Sequence, residues 1–159
     1  MIIVELPRDR TRVGRLKVQV NNAPPVFGPV TALGLADSAG AIEHNNPSRD
    51  PVHLFGDTPT GEYNIVVQQT PALPARSYGP YGVVRMDPTA GQALQAEQNG
   101  RSGLWIHGGD LSGAGLLRPT YGCVRLKNDD MKSLMAVLAA NPQIDTCSIR
   151  EVTGIHANS

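Results

Sequence analysis

The stretch Trp105-Ile106-His107-Gly108-Gly109, joined through a glycine-rich span to Thr120-Tyr121-Gly122-Cys123-Val124-Arg125-Leu126, decides how the chain is read. Each half is a short apolar run beside glycine, one carrying a histidine and the other a cysteine. Runs of this kind bounded by glycine read as strands. Gly108, Gly109, Gly113 and Gly115 let the chain turn back between them. Two neighbouring strands are therefore expected, with ends that bring the imidazole to the sulfur. The thiolate is the attacking form of cysteine, and at neutral pH a free thiol needs a base to reach it. Histidine is the usual base. On these two residues alone, an equal alternative is a hydrogen-bonded core histidine and an inert buried thiol.

Outward from this stretch the pattern stays mainly β. Residues 15–20 alternate polar and apolar, the period of a strand with one buried face. Asn21-Asn22 turns the chain into a second run, Val26 to Leu35, which Gly28 and Pro29 mark as a bent or edge strand. From Ala36 to Gly56 the chain is polar and aperiodic, so a long loop carrying His44 and His53 is expected, of a length usually functional or mobile. Tyr63 to Gln69 reads as a strand after the Pro59–Gly61 turn, Pro71 to Pro80 as a loop, and Gly82 to Met86 as another strand. Asp87-Pro88 has the form of a helix cap followed by proline at the first helical position, and the helix is expected to stop near Asn99-Gly100.

Beyond Leu126, Asn128 is expected to cap a helix with Asp129 and Asp130 in its first turn, where negative charge suits the helix dipole. Met131, Leu134, Met135 and Leu138 repeat at helical spacing, so this helix docks an apolar face on the sheet and ends at Asn141-Pro142. Ile144 to Val152 reads as a last strand containing Cys147, and 153–159 as a frayed tail.

Composition sets the bounds. A chain of 159 residues makes one domain, 1–159, with a core of its own. Lys plus Arg (14) equal Asp plus Glu (14), so no long-range field favours nucleic acid or an anionic membrane. Seventeen glycines and thirteen prolines favour short strands and turns over long helices. Two cysteines do not make a disulfide scaffold. No run is long enough to span a bilayer, and Met1 to Pro7 lacks the basic start, apolar stretch and cleavage site of a secretory leader. A monomer is expected.

The paired stretch resembles the active-site signature of the YkuD-type L,D-transpeptidases. In that family a histidine beside a small residue precedes a Ser/Thr-His-Gly-Cys-hydrophobic-Asn/Arg run. Here the offset is 123 − 107 = 16 positions, and Thr120, Gly122, Cys123, Val124 and Arg125 fall on the pattern. Tyr121 departs from it by standing where the family usually has a second histidine. Asp57-Thr58-Pro59-Thr60-Gly61-Glu62-Tyr63 is similar to the family's Thr-Pro-x-Gly-x-Phe/Tyr turn. The resemblance implies a YkuD-like sandwich or barrel-like sheet with one or two short packed helices.

It also implies the chemistry. Cys123 is the nucleophile that forms a thioester, and His107 is the base, oriented by the backbone carbonyl of Gly108. The backbone N–H groups of Tyr121, Gly122 and Cys123 are candidates for the oxyanion hole. Arg125 is the candidate for holding a substrate carboxylate, against the alternative of a structural ion pair. Gly109, Thr120 and Tyr121 are the other expected substrate contacts. By this resemblance the partner is a peptidoglycan stem peptide in the periplasm or cell wall, cut before its terminal D-alanine, and carbapenems are candidate covalent inhibitors. An amine acceptor makes a cross-link or exchanges a D-amino acid, whereas water makes the protein an L,D-carboxypeptidase. No cofactor and no metal are expected.

Four alternatives stay open. A zinc hydrolase would need close-spaced ligand pairs that the sequence lacks. A Cys123–Cys147 disulfide would consume the nucleophile. A wall-binding module with a dead site would have no need of both Cys123 and His107. Either an export segment lies outside this sequence or delivery uses another route, and the second option admits an antibacterial effector.

Overall fold

The computed structural model describes residues 1–69 and 71–153. Strand β1 (Ile2–Pro7) buries Ile2, Val4 and Leu6 completely, at period two. It pairs antiparallel with β2 (Gly14–Val18), whose Leu16 and Val18 are buried in the same alternation. The chain then turns through Asn21, held at φ +56°, into β3 (Phe27–Ala32) and completes the expected hairpin. The register of β2 and β3 shifts between Leu16 and Val18, in keeping with a bent strand.

The remaining strands are β4 (Gly61–Gln68), β5 (Val83–Ala90), β6 (Trp105–His107), β7 (Val124–Arg125) and β8 (Thr146–Val152). They join in the order β3-β2-β1-β8-β4-β5-β6-β7, with β1–β8 and β6–β7 parallel and the other pairs antiparallel. Just past β3, Leu33 exchanges backbone hydrogen bonds with Arg125 of β7 at 3.0 and 2.9 Å. Farther on, Asp37 N–H reaches the Thr120 carbonyl at 2.7 Å and Thr120 N–H reaches the Leu35 carbonyl at 3.1 Å. These bonds tie one edge of the sheet to the other, so the sheet closes on itself as a barrel-like layer. The closing seam is the segment that carries Cys123.

Helix α1 (Ser38–Glu43) lies inside the expected 36–56 loop, capped by the Asp37 carboxylate, which accepts from Gly40 N–H at 2.9 Å. Its one and a half turns carry no apolar period, so only the cap announces it. The short α2 (Ala75–Tyr78) interrupts the expected 71–80 loop. Helix α3 (Gln92–Gln98) stops at Asn99 with Gly100 beyond it at φ +91°, as the sequence indicates.

Its start differs from the sequence reading, because Asp87-Pro88 continues β5 and the N-terminal cap is Gly91. Proline is tolerated at strand edges and bulges. Pro88 sits at both, since the β4 register shifts between Glu62 and Tyr63 and β6 pairs only with Val84 and Arg85. Helix α4 (Asn128–Ala140) buries Met131, Leu134, Met135 and Leu138 in the core shared with Ile2, Leu16 and Ile106. Each such side chain contributes on the order of 1.5–3 kcal/mol. The expected tail lies outside the described residues except for Thr153. Among the described residues no helix is long and apolar enough to cross a membrane.

Candidate active site

Register places the chemistry. In the parallel β6–β7 pair Ile106 stands beside Val124 and His107 beside Arg125. Ile106 and Val124 are fully buried toward the core, so alternation turns Trp105, His107, Cys123 and Arg125 to the other face. All four border one cavity of about 690 Å³. His107 closes β6, and Cys123 sits one residue ahead of β7. The two residues are therefore diagonal neighbours rather than direct partners.

The thiol's hydrogen bonds differ from the expected thiol–imidazole contact. Sγ donates to the Gly103 carbonyl at 3.3 Å and accepts the Trp105 backbone N–H at 3.4 Å. Burial pushes the thiol up to about 11, against the pull of that N–H and of the Arg101 and Arg125 cations. Nδ1 of His107 lies 2.7 Å from the Gly108 carbonyl, the contact expected of Gly108. A carbonyl only accepts, so Nδ1 carries the proton of the neutral ring and Nε2 keeps its lone pair. Burial drives the ring down to about 4; the Gly108 bond opposes this and the Arg125 charge adds to it. Both groups thus rest neutral near pH 7.

The loop that presents Cys123 is braced from two sides. Thr120 Oγ1 accepts the Gly122 N–H at 3.0 Å and donates to the Cys123 carbonyl at 2.9 Å. Thr58, buried completely in the upstream Thr-Pro turn, donates to the Gly122 carbonyl at 2.7 Å and lies 3.3 Å from that of Cys123. Tyr63 holds the same turn by donating its hydroxyl to the Pro59 carbonyl at 2.6 Å. Gly122 stands at φ +115°, and a Cβ there would collide with Arg101 Nη2 and the Gly56 carbonyl, so only glycine fits.

These bonds redistribute the expected roles. The Gly122 N–H is already taken, which leaves those of Tyr121 and Cys123 without a protein acceptor among the described residues. The Thr120 hydroxyl serves the loop itself. The Gly109 N–H donates to Asn128 Oδ1 at 2.9 Å, so Asn128 latches the histidine loop instead of capping α4, whose N-cap is Lys127. Tyr121 is exposed, and its ring meets Phe55 edge-on at 5.4 Å. Phe55 lines the cavity, is held at φ +61° and stacks on His44 at 3.5 Å, so His44 backs that ring. His53 is exposed beside Asp50.

Arg125 is buried and donates Nη2 to the Ser77 carbonyl at 2.8 Å. Among the described residues no acid pairs with it, and its Nε, like Nε1 of Trp105, has no acceptor. The ion-pair alternative for Arg125 thus finds no direct partner among the described residues. Both cysteines are free, and Cys147 is buried in β8, which removes the disulfide alternative. No three His, Cys, Asp or Glu side chains group as metal ligands among the described residues.

The sequence does not mark Thr58, Tyr78, Arg101 and Asn128 individually as site residues. Tyr78 packs its ring 4.8 Å from that of His107 and 5.5 Å from that of Trp105, and its carbonyl accepts the Gly108 N–H at 3.1 Å. Only Thr58 had a signal, as part of the upstream turn.

A family model described as the L,D-transpeptidase catalytic domain, YkuD, matches residues 53–145. No curated protein matches. Among solved structures, Bd1075 of Bdellovibrio bacteriovorus aligns over 99% of this chain and 50% of its own, at 15% identity and a TM-score of 0.57. L,D-transpeptidase 1 of Mycobacterium tuberculosis aligns over 93% and 60% at 16% identity, with a TM-score of 0.40. An L,D-transpeptidase from Mycobacterium smegmatis aligns over 94% and 58% at 14% identity, again with a TM-score of 0.40. The chain thus spans half to three-fifths of the length of these structures. Bd1075 superposes well enough to speak to a shared fold.

Proposed function

The chain belongs to the YkuD family of L,D-transpeptidase catalytic domains, and on that premise we propose that residues 1–159 form one domain that transfers a peptidoglycan acyl group through Cys123. The observation that supports this best is His107, its Nδ1 2.7 Å from the Gly108 carbonyl, bordering the same cavity as Cys123. The site of action that follows is the periplasm or cell wall.

In the first half-reaction the thiol leaves the Gly103 carbonyl and its proton passes to His107 Nε2. The sulfur attacks the carbonyl that precedes the terminal D-alanine of a stem peptide. The C=O electron pair moves to oxygen, toward the N–H groups of Tyr121 and Cys123. Losing one such donor typically costs about 10²–10³ in rate. Collapse of the intermediate breaks the C–N bond, and the departing D-alanine amine takes the proton from Nε2. A thioester and a neutral imidazole remain. In the second half-reaction an amine of another stem gives its proton to Nε2 and attacks the thioester, and the expelled sulfur takes that proton back. The product is a cross-link between stems. Arg125 and Trp105 line the same cavity, and the Arg125 guanidinium is the candidate group to face a carboxylate of the donor stem.

Incubation with purified tetrapeptide muropeptides followed by mass spectrometry tests the reading. D-Alanine release with dimer formation is expected, and Cys123→Ala abolishes both. Release without dimers would assign hydrolysis in place of transfer. Release that persists in Cys123→Ala would refute the nucleophile.

A further inference from the structure

We propose that Arg101 is a positioning residue that shapes the Cys123 loop and supplies the buried positive charge toward which sulfur and the oxyanion develop negative charge. The inference rests on Cys123 being the nucleophile, but its test needs no peptide substrate.

Arg101 lies between α3 and β6 and is 4% exposed. Its Nη1 donates to the carbonyls of Pro51 and, at 3.0 Å, Asp57. Its Nη2 donates to the carbonyls of Gly56 at 3.0 Å and Tyr121 at 3.4 Å. One guanidinium thus ties the 51–57 segment to the residue two positions before the nucleophile. The same Nη2 occupies the space that a side chain on residue 122 would need, so Arg101 is one reason for the glycine beside Cys123.

Every acceptor around Arg101 is neutral. The Asp57 carboxylate turns away to the Ala36 N–H at 2.8 Å and to Arg49 at 3.3 Å, and among the described residues no acid forms an ion pair with Arg101. Asp57 acts on Arg101 through space only, and a buried charge that lacks a directly paired counter-ion is costly. Neutral donors on an amide side chain would tether two loops more cheaply. The charge is recovered when negative charge appears next to it, and Arg101 borders the cavity beside Cys123. Burial raises the Cys123 thiol, and the Trp105 N–H, the Arg101 charge and the Arg125 charge all act against it.

The test is the rate of Cys123 alkylation by iodoacetamide against pH, read by peptide mass spectrometry so that buried Cys147 is scored separately. Native protein, R101K, R101Q and R101M are compared, with trimethylamine N-oxide present throughout to hold loosened variants folded and circular dichroism to confirm it. In R101Q and R101M the midpoint rises. Alkylation near neutral pH then falls roughly tenfold for each unit. R101K keeps the charge and stays close to the native midpoint. Folded R101Q and R101M that alkylate with the native midpoint would overturn the proposal and leave Arg101 a loop tether. That result with Cys123-dependent D-alanine release intact would leave the proposed function standing. A midpoint raised in R101Q and R101M, with a native protein that turns over no muropeptide, would uphold the role of Arg101 and overturn the proposed function.

Discussion

His107 makes the stability of this protein depend on pH in a way that can be isolated. Its folded ring titrates near 4 because burial opposes the charged form, whereas an exposed histidine in the unfolded chain titrates near 6.5. Between those values the unfolded state holds the extra proton, so acidification favours unfolding and stability rises with pH. The contribution is intact above about pH 6.5, is lost as pH falls toward 4, and levels off below that. Each unit between the midpoints is worth about 1.4 kcal/mol, so close to 3 kcal/mol is lost by pH 4. Urea unfolding of native protein and of His107→Gln at several pH values between 7 and 4 measures it. Carboxylates titrate in the same range, with burial raising Asp57 and Asp130, but they are common to both proteins and cancel in the difference. The native-minus-variant stability should fall by about 3 kcal/mol from pH 7 to pH 4. A difference that does not change with pH would mean that the ring is not buried in its neutral form, and the base assigned to it would go too.

Three further substitutions test the loop. Thr58→Val removes the hydroxyl that reaches the Gly122 carbonyl; it should cost about 1–3 kcal/mol in thermal or urea unfolding, together with a loss of kcat, and an unchanged kcat would show that the upstream turn does not hold the nucleophile. Tyr121→Ala should leave stability within about 0.5 kcal/mol of native and D-alanine release within a few-fold, because its ring is exposed and meets only the edge of Phe55 among the described aromatic rings; a loss as large as that of Cys123→Ala would place its side chain in the reaction. Asn128→Ala strands the Gly109 N–H and should cost about 1 kcal/mol, with the extra amide exchange confined to Gly108 and Gly109; exchange spread along α4 would restore Asn128 as a helix cap.

The parts of this structure legible in the sequence are those where a local pattern and a tertiary role coincide. Alternation at residues 15–20 marked β2, the Met131–Leu138 spacing marked α4, and glycines beside His107 and Cys123 marked the strand ends that line the cavity. Elsewhere distant contacts outweighed local preference. Asp87-Pro88 has the form of a helix start, but pairing with β4 at a bulge keeps it in the sheet. Asn128 has the form of a cap, yet its side chain answers the Gly109 N–H across the site. The apolar Ile2-Ile3-Val4 run is too short to announce a strand by its own pattern, and its strand follows from pairing with β8, more than 140 residues away in the chain. Arg101 carried no signal at all, because its partners are backbone carbonyls that only the folded chain brings together.

The central claim is that the Cys123 sulfur takes the acyl group, and intact-protein mass spectrometry after exposure to a carbapenem measures it most directly. One acyl adduct on Cys123 is expected, slower to form in His107→Gln and absent from Cys123→Ala. An adduct that persists in Cys123→Ala, or none on a native protein whose Cys123 still reacts with iodoacetamide, would contradict the account.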